Sequence, residues 1–344
     1  MAQINKPSLH FNTKLYTGNG STQSITGVGF QPDWVWIKNR DTTGWHFWTD
    51  AVRGAGKAIY SNRTDAEFTD TDNSDINSFL TDGFSVGNNG DVNGNGNNIV
   101  AWNWKANGQG SSNTDGSINT TYTSVNTTAG FSISKYTGTG ANATVGHGLG
   151  VAPKMIIIKQ TNTTRNWVVG HDGIGWTKYL YLDSTNAQGT GNFFNDTAPT
   201  NSVFSVVNDG GVNSSGGTYI AYCFAEKKGY SKFGSFEGNE NANGVFVYTG
   251  FKPAFVLAKN TAISDWWSMF DNKRLGFNSS DSPRLLFPNT NSAESTSKML
   301  DFTSNGFKIR SSNTGINGNG NTVIYMAFAE NPIVGTNNIA ATAG

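Results

Sequence analysis

The chain has 344 residues, with 24 basic against 24 acidic side chains, so its formal charge is zero and 14% of its residues are charged, well below the usual ~25%. No basic cluster stands out, which argues against an electrostatic grip on nucleic acid or anionic lipid. The single cysteine, Cys223, excludes an intrachain disulfide and a Cys-rich zinc site, while 36% apolar residues with 42 glycines describe a globular chain.

The opening MAQINKPSLHFN lacks the basic-then-apolar layout of a signal peptide. No apolar run approaches the ~18 residues of a membrane span, so no membrane insertion is expected. Short runs rich in β-branched and aromatic residues then follow, bounded by Gly, Asn, Asp and Pro, and read as strands. In chain order they include Trp34–Ile37, Ile99–Trp104, Met155–Ile158, Tyr219–Phe224, Phe255–Leu257 and Val323–Phe328. Cys223 falls inside one of them and reads as a buried, inert thiol. A weak helical turn is expected around Ser292–Leu300, and no other stretch sustains a 3.6-residue apolar period.

These elements recur three times. Pro32, Lys38, Trp45 and Asp50 are echoed by Pro153, Lys159, Trp167 and Asp172 and by Pro253, Lys259, Trp266 and Asp271. The Pro-to-Lys step is six residues in every copy, the Trp-to-Asp step five, and the Lys-to-Trp step seven or eight. Asn93 to Trp104, Asn213 to Phe224 and Asn317 to Phe328 each span eleven residues. Self-similarity of this kind implies a structural repeat, so Trp45, Trp167, Trp266, Asp50, Asp172 and Asp271 are expected to be structural residues. The expected fold is all-β, with three tandem antiparallel sandwich or jelly-roll-like units; a single propeller-like assembly is the alternative.

Repeat boundaries follow from the spacing: 1–105, 131–229 and 230–334, with a tail at 335–344. Residues 106–130, rich in Gly, Ser, Asn and Thr, read as a tether. The strands after the repeated prolines are apolar at consecutive positions, which implies burial on both faces. The second face must meet a neighbouring repeat or another subunit, and association as a homotrimer is expected.

Candidate chemistry is sparse. Asp91-Val-Asn93-Gly-Asn95-Gly96 opens like a calcium loop, but Trp102 stands where the bidentate Glu belongs, and Gly211 and Gly315 replace Asp91 in the other copies. The four histidines lack ligand spacing and no Gly-x-Ser-x-Gly elbow occurs. No metal, cofactor or catalytic activity is expected. Tryptophans that differ between copies, Trp48, Trp267 and Trp176, are the candidates for stacking on glycan or filling an interface.

The segments LYTGNGSTQSITGVGFQPDWVWIKNR, KYTGTGANATVGHGLGVAPKMIIIK, GGTYIAYCFAEKKGYSKFG and VYTGFKPAFVLAKN resemble a repeat domain of undefined function found in virion proteins of marine phages, including cyanophages and pelagiphages. The resemblance spans Phe11 to Thr336. It implies a phage structural protein, tail-fibre or tail-associated, located on the virion with other virion proteins as partners and host-surface polysaccharide as its target. A non-receptor component of capsid or tail is the other expectation, since the chain carries no coiled-coil or collagen-like shaft.

Overall fold

The structure is a computed structural model that describes residues 3–274, 278 and 283–334; the expected tail at 335–344 lies outside the described residues. It is all-β, every pair of strands is antiparallel, and among the described residues there are two single helical turns, at Gly90–Asn93 and Thr314–Asn317, and two short 3-10 turns. Three similar units follow one another. In each, a large sheet places the unit's last strand between its first and third: Phe11–Thr17, Asn98–Trp104 and Trp34–Asn39 in the first unit, Phe131–Thr137, Thr218–Phe224 and Met155–Gln160 in the second, and Ser231–Glu237, Thr322–Pro332 and Phe251–Asn260 in the third. The register is the same in all three, with rungs Phe11–Trp104–Trp34, Phe131–Phe224–Met155 and Ser231–Phe328–Phe255.

A small sheet covers one face of each large sheet and makes each unit a two-layer sandwich. Strands Gln23–Thr26, Gly83–Val86 and Ile76–Leu80 do this in the first unit, and Ile25, Phe84 and Ile76 meet Val35, Ile37, Ile99 and Ala101 in a closed core. Equivalent cores lie in the second and third units. The sheets therefore stack in pairs and do not radiate as propeller blades.

Side chains alternate between faces along a strand, and here both faces are dry. Trp34 and Trp36, Met155 and Ile157, and Phe255 and Leu257 point away from their own sandwich into one shared core. Trp102 and Trp104, Tyr222 and Phe224, and Met326 and Phe328 join them from the last strands. The consecutive apolar residues are thus explained: the second face of each repeat is buried against the other two. The face that motivated an expected homotrimer is filled within one chain.

The repeated Asn and Gly residues close each unit. Asn93, Asn213 and Asn317 are fully buried, and each side-chain amide donates to carbonyls of neighbouring loops, such as Gly87 and Ser21 in the first copy. Gly18, Gly138 and Gly238 run so close to this turn that a Cβ would lie 2.1 to 2.3 Å from a carbonyl oxygen. Glycine is a steric requirement there.

Two sequence readings are corrected. Residues 106–130 are not a loose tether: Tyr122–Asn126 is a strand paired with Phe131–Thr137. Upstream of it, Asp33 accepts from the N–H groups of Ala106 and Gly108, and Asn113 and Thr120 knit a turn. Small polar residues supply these local acceptors, which composition alone does not distinguish from disorder. Ser292–Leu300 is extended and bridged, with Ser295 pairing Leu285, and it forms no helical turn.

Candidate functional site

The three glycan candidates are core residues. Trp48 and Trp267 are buried in the shared core, where they serve the contact between repeats. Trp48 packs edge-on to Trp167 at 4.7 Å and to Tyr222 at 5.1 Å, and Trp267 donates its indole N–H to the Tyr181 carbonyl at 2.9 Å. Trp176 lies against Phe194 in the core of the second unit. None of the three offers a face to a sugar.

The supposed core set also divides. Trp167 is buried, whereas Trp266 is 46% exposed and Trp45 half-buried. The ladder explains why. Trp34 faces Asp50, Met155 faces His171 and Phe255 faces Asp271. The true equivalent of Asp50 and Asp271 is therefore His171, not Asp172, and the true equivalents of Trp45 and Trp266 are Asn166, not Trp167. Trp167 corresponds to Trp267 and to His46.

With this alignment, contacts between repeats become a cyclic set. Trp167 donates to the Tyr60 carbonyl and Trp267 to that of Tyr181, each reaching the preceding repeat. His46 occupies the corresponding place beside Phe287 and accepts from the Trp36 indole. Burial, reinforced by the Lys38 and Arg274 charges, holds its ring neutral far below the ordinary histidine range. The N–H groups of Glu67, Gln188 and Glu294 donate to the carbonyls of Thr161, Thr261 and Arg40 in the next repeat. The ammonium groups of Lys38, Lys159 and Lys259 are buried on backbone carbonyls, with pKa values lowered by burial to about 8.

Asp50 and Asp271 are buried acceptors in this ring. Asp50 pairs with Arg53 and accepts from the Tyr222 hydroxyl at 2.7 Å; Asp271 pairs with Arg274 and accepts from the Trp102 indole at 3.0 Å. The third contact uses different chemistry. There His171 stands in place of Asp, Ile174 in place of Arg and Met326 in place of the donor, and His171 Nε2 bonds the Tyr325 carbonyl at 3.2 Å. Burial lowers the His171 pKa to about 4. Its folded pKa thus lies below the ordinary ~6.5, so the unfolded chain takes up a proton first as pH falls, and the folded state loses stability between pH 6.5 and 4. We expect about 2–3 kcal/mol of acid destabilisation from this residue. His171→Gln should flatten the pH profile of the melting temperature in that window, and an unchanged profile would show that His171 is not its source.

Asp91 is spent on structure as well, accepting from the Trp45 backbone N–H at 3.1 Å. Among the described residues, no three His, Cys, Asp or Glu side chains converge as a metal-binding group. None of their helices is long and apolar enough to cross a membrane.

What remains open to solvent is the rim where the copies differ. In the first repeat the Trp45 ring covers Tyr60 at 4.9 Å, with the Arg63 guanidinium 4.3 Å above the indole. In the third, Trp266 covers Phe287 at 4.7 Å. In the second, the residue is Asn166, which turns away to donate to Asp183 at 2.7 Å. A cleft of about 180 Å³ opens beside it, lined by Arg165, Asn166, Tyr181, Phe193 and Asp209. A wider groove of about 870 Å³ lies where the second and third repeats meet Gln3 and Val334. Its charges are partly matched, Lys154 to Asp172 and Lys232 to Glu226. None of the cleft residues was singled out by the sequence, because the misplaced Trp167 hid the substitution at Asn166.

Residues 6–332 match a family described as a domain of unknown function, DUF7483. No curated protein matches the chain.

Proposed function

The chain belongs to the DUF7483 family, and from that premise we propose that it is a virion attachment module, tail-fibre or tail-associated, that recognises host-surface glycan. The observation that carries this reading is the division of labour between the two sides of each repeat. Backbone contacts between repeats recur in all three copies, while the outer position that is Trp45 in the first and Trp266 in the third is Asn166 in the second, within a common backbone. A change at an outer position is what a recognition surface needs, because specificity can then change at little cost to the core. A surface rich in amides and hydroxyls and poor in charge suits hydroxylated ligands, and its hydrogen bonds depend little on salt. Display in several copies would supply the avidity that one small site lacks. Purified protein should bind host cells and slow phage adsorption; protein that does neither removes this reading.

One feature favours a second reading, a non-receptor component of tail or capsid. Strand Phe246–Tyr248 lies at the edge of the small sheet of the third repeat with Phe246 45% and Tyr248 57% exposed. An aromatic sheet edge of this kind can pair with another chain. Labelling on intact particles separates the two: a distal position supports attachment, a position flush with the shell supports the structural role.

A further inference from the structure

Resting on the attachment reading, we propose that the cleft of the second repeat is a subsite for one pyranose ring of a polysaccharide, with Tyr181 and Phe193 as its apolar wall and Arg165, Asn166 and Asp209 as its polar contacts. The first argument is internal comparison. Two sister copies seal this position with an indole over the aromatic residue equivalent to Tyr181. The second copy leaves Tyr181 uncovered on that side and assembles a different aromatic wall instead: Phe193 lies 4.6 Å from Tyr179, with Tyr179 5.0 Å from Tyr181. The cleft at this place measures about 180 Å³, and the apolar C–H face of a sugar ring can pack on the electron-rich face of an aromatic partner.

The second argument is the polar chemistry. The Arg165 guanidinium has no hydrogen bond or ion pair with any described residue, although its backbone is fixed by an N–H bond to the Thr64 carbonyl. Its side chain lies so flat on Gly210 that a Cβ there would stand 2.8 Å from Nε. Asp209 uses one oxygen to cap the turn, accepting from the Gly211 N–H at 2.7 Å. Its other oxygen makes no hydrogen bond to any described residue and can accept from hydroxyls. A donor fork and a carboxylate oxygen that do not neutralise each other, set beside an aromatic wall, can bond the alternating donors and acceptors of adjacent sugar hydroxyls. Arg165 can also take a carboxylate bidentately, so a uronic acid would gain more from it than a neutral hexose.

The test uses the full chain with two probes, a neutral and a uronic-acid oligosaccharide, and reads ligand contact by saturation-transfer NMR alongside cell binding. Asn166→Trp copies the residue that the first and third repeats already hold, so it should fill the cleft, with only a modest fall in melting temperature from loss of the bond to Asp183. It should weaken sugar binding by about tenfold or more, the loss of roughly one good contact or stacking surface. Asp209→Asn, which keeps the turn cap, should weaken both probes, and Arg165→Gln should weaken the uronic-acid probe more than the neutral one. Wild-type protein that contacts neither probe, or an Asn166→Trp protein that binds them unchanged, overturns the subsite. Cell binding that survives Asn166→Trp would remove the subsite and leave attachment standing, whereas sugar contact at the cleft without cell binding would keep the subsite and remove the attachment role.

Discussion

Replacing Trp34 by Ala is expected to cost about 3–5 kcal/mol and to melt all three repeats in a single transition. Trp34 is fully buried where the repeats meet. Its ring stacks on Trp104 at 4.0 Å and meets Trp48 at 4.5 Å within its own repeat, then Tyr222 at 5.1 Å and Phe131 at 5.7 Å in the second. Trp104 in turn reaches Phe255 and Phe328 of the third repeat at 5.7 and 5.6 Å. A cavity at Trp34 therefore removes contacts from a core that no repeat owns alone. Calorimetry decides the matter: a first transition confined to one third of the enthalpy, with the rest unchanged, would mean that the sandwiches fold independently. Trp266→Ala is the control, since its half-exposed ring rests on Phe287 and should cost only about 1 kcal/mol.

Much of this architecture was legible in the sequence, for a physical reason. A strand buried on one face alternates, a strand buried on both does not, and Met155-Ile156-Ile157-Ile158 declared two dry faces before any partner was visible. The eleven-residue interval from the buried Asn to the aromatic has a structural basis too, because the Asn anchors a turn and the aromatic sits at the same rung of the strand that follows. What failed was a shift of one residue. Counting to the nearest tryptophan made the Lys-to-Trp step seven or eight, whereas the ladder makes Lys38 to Trp45, Lys159 to Asn166 and Lys259 to Trp266 seven residues each. In a strand, one residue exchanges the faces of every side chain. That slip placed Trp167 with the wrong partners, paired Asp172 with two buried aspartates, and concealed the cleft. The uneven interval was the signal, and a fixed spacing demanded by the backbone would have resolved it. The polar loops at 106–130 were illegible for another reason: their order comes from specific bonds to Asp33, Ser124 and Thr120, and composition does not record which acceptor a backbone N–H will find.

Asp271 and Asp172 should separate sharply under mutation. Asp271→Asn is expected to cost about 3–5 kcal/mol, because it breaks a fully buried pair and leaves the Arg274 guanidinium without its nearest counter-charge. Glu294 still touches that guanidinium at 3.2 Å, but it also holds Arg40 and cannot replace a carboxylate that accepts from the Trp102 indole as well. Asp172→Asn should cost about 0–1 kcal/mol, since its pair with Lys154 is exposed to solvent on both sides. Denaturant midpoints at constant slope would measure both, and equal losses would show that burial is not what sets these two pairs apart. The chain also contains its own remedy. Its second repeat makes the equivalent contact without any ion pair, using His171 and Ile174, so the double variant Asp271→His with Arg274→Ile removes both buried charges together. Since a buried pair is costly to break but cheap to replace by apolar contact, that double variant should be less destabilised than Asp271→Asn alone. If it is more destabilised, the ion pairs are required by the geometry of their own interfaces, and the three contacts of the ring are not interchangeable.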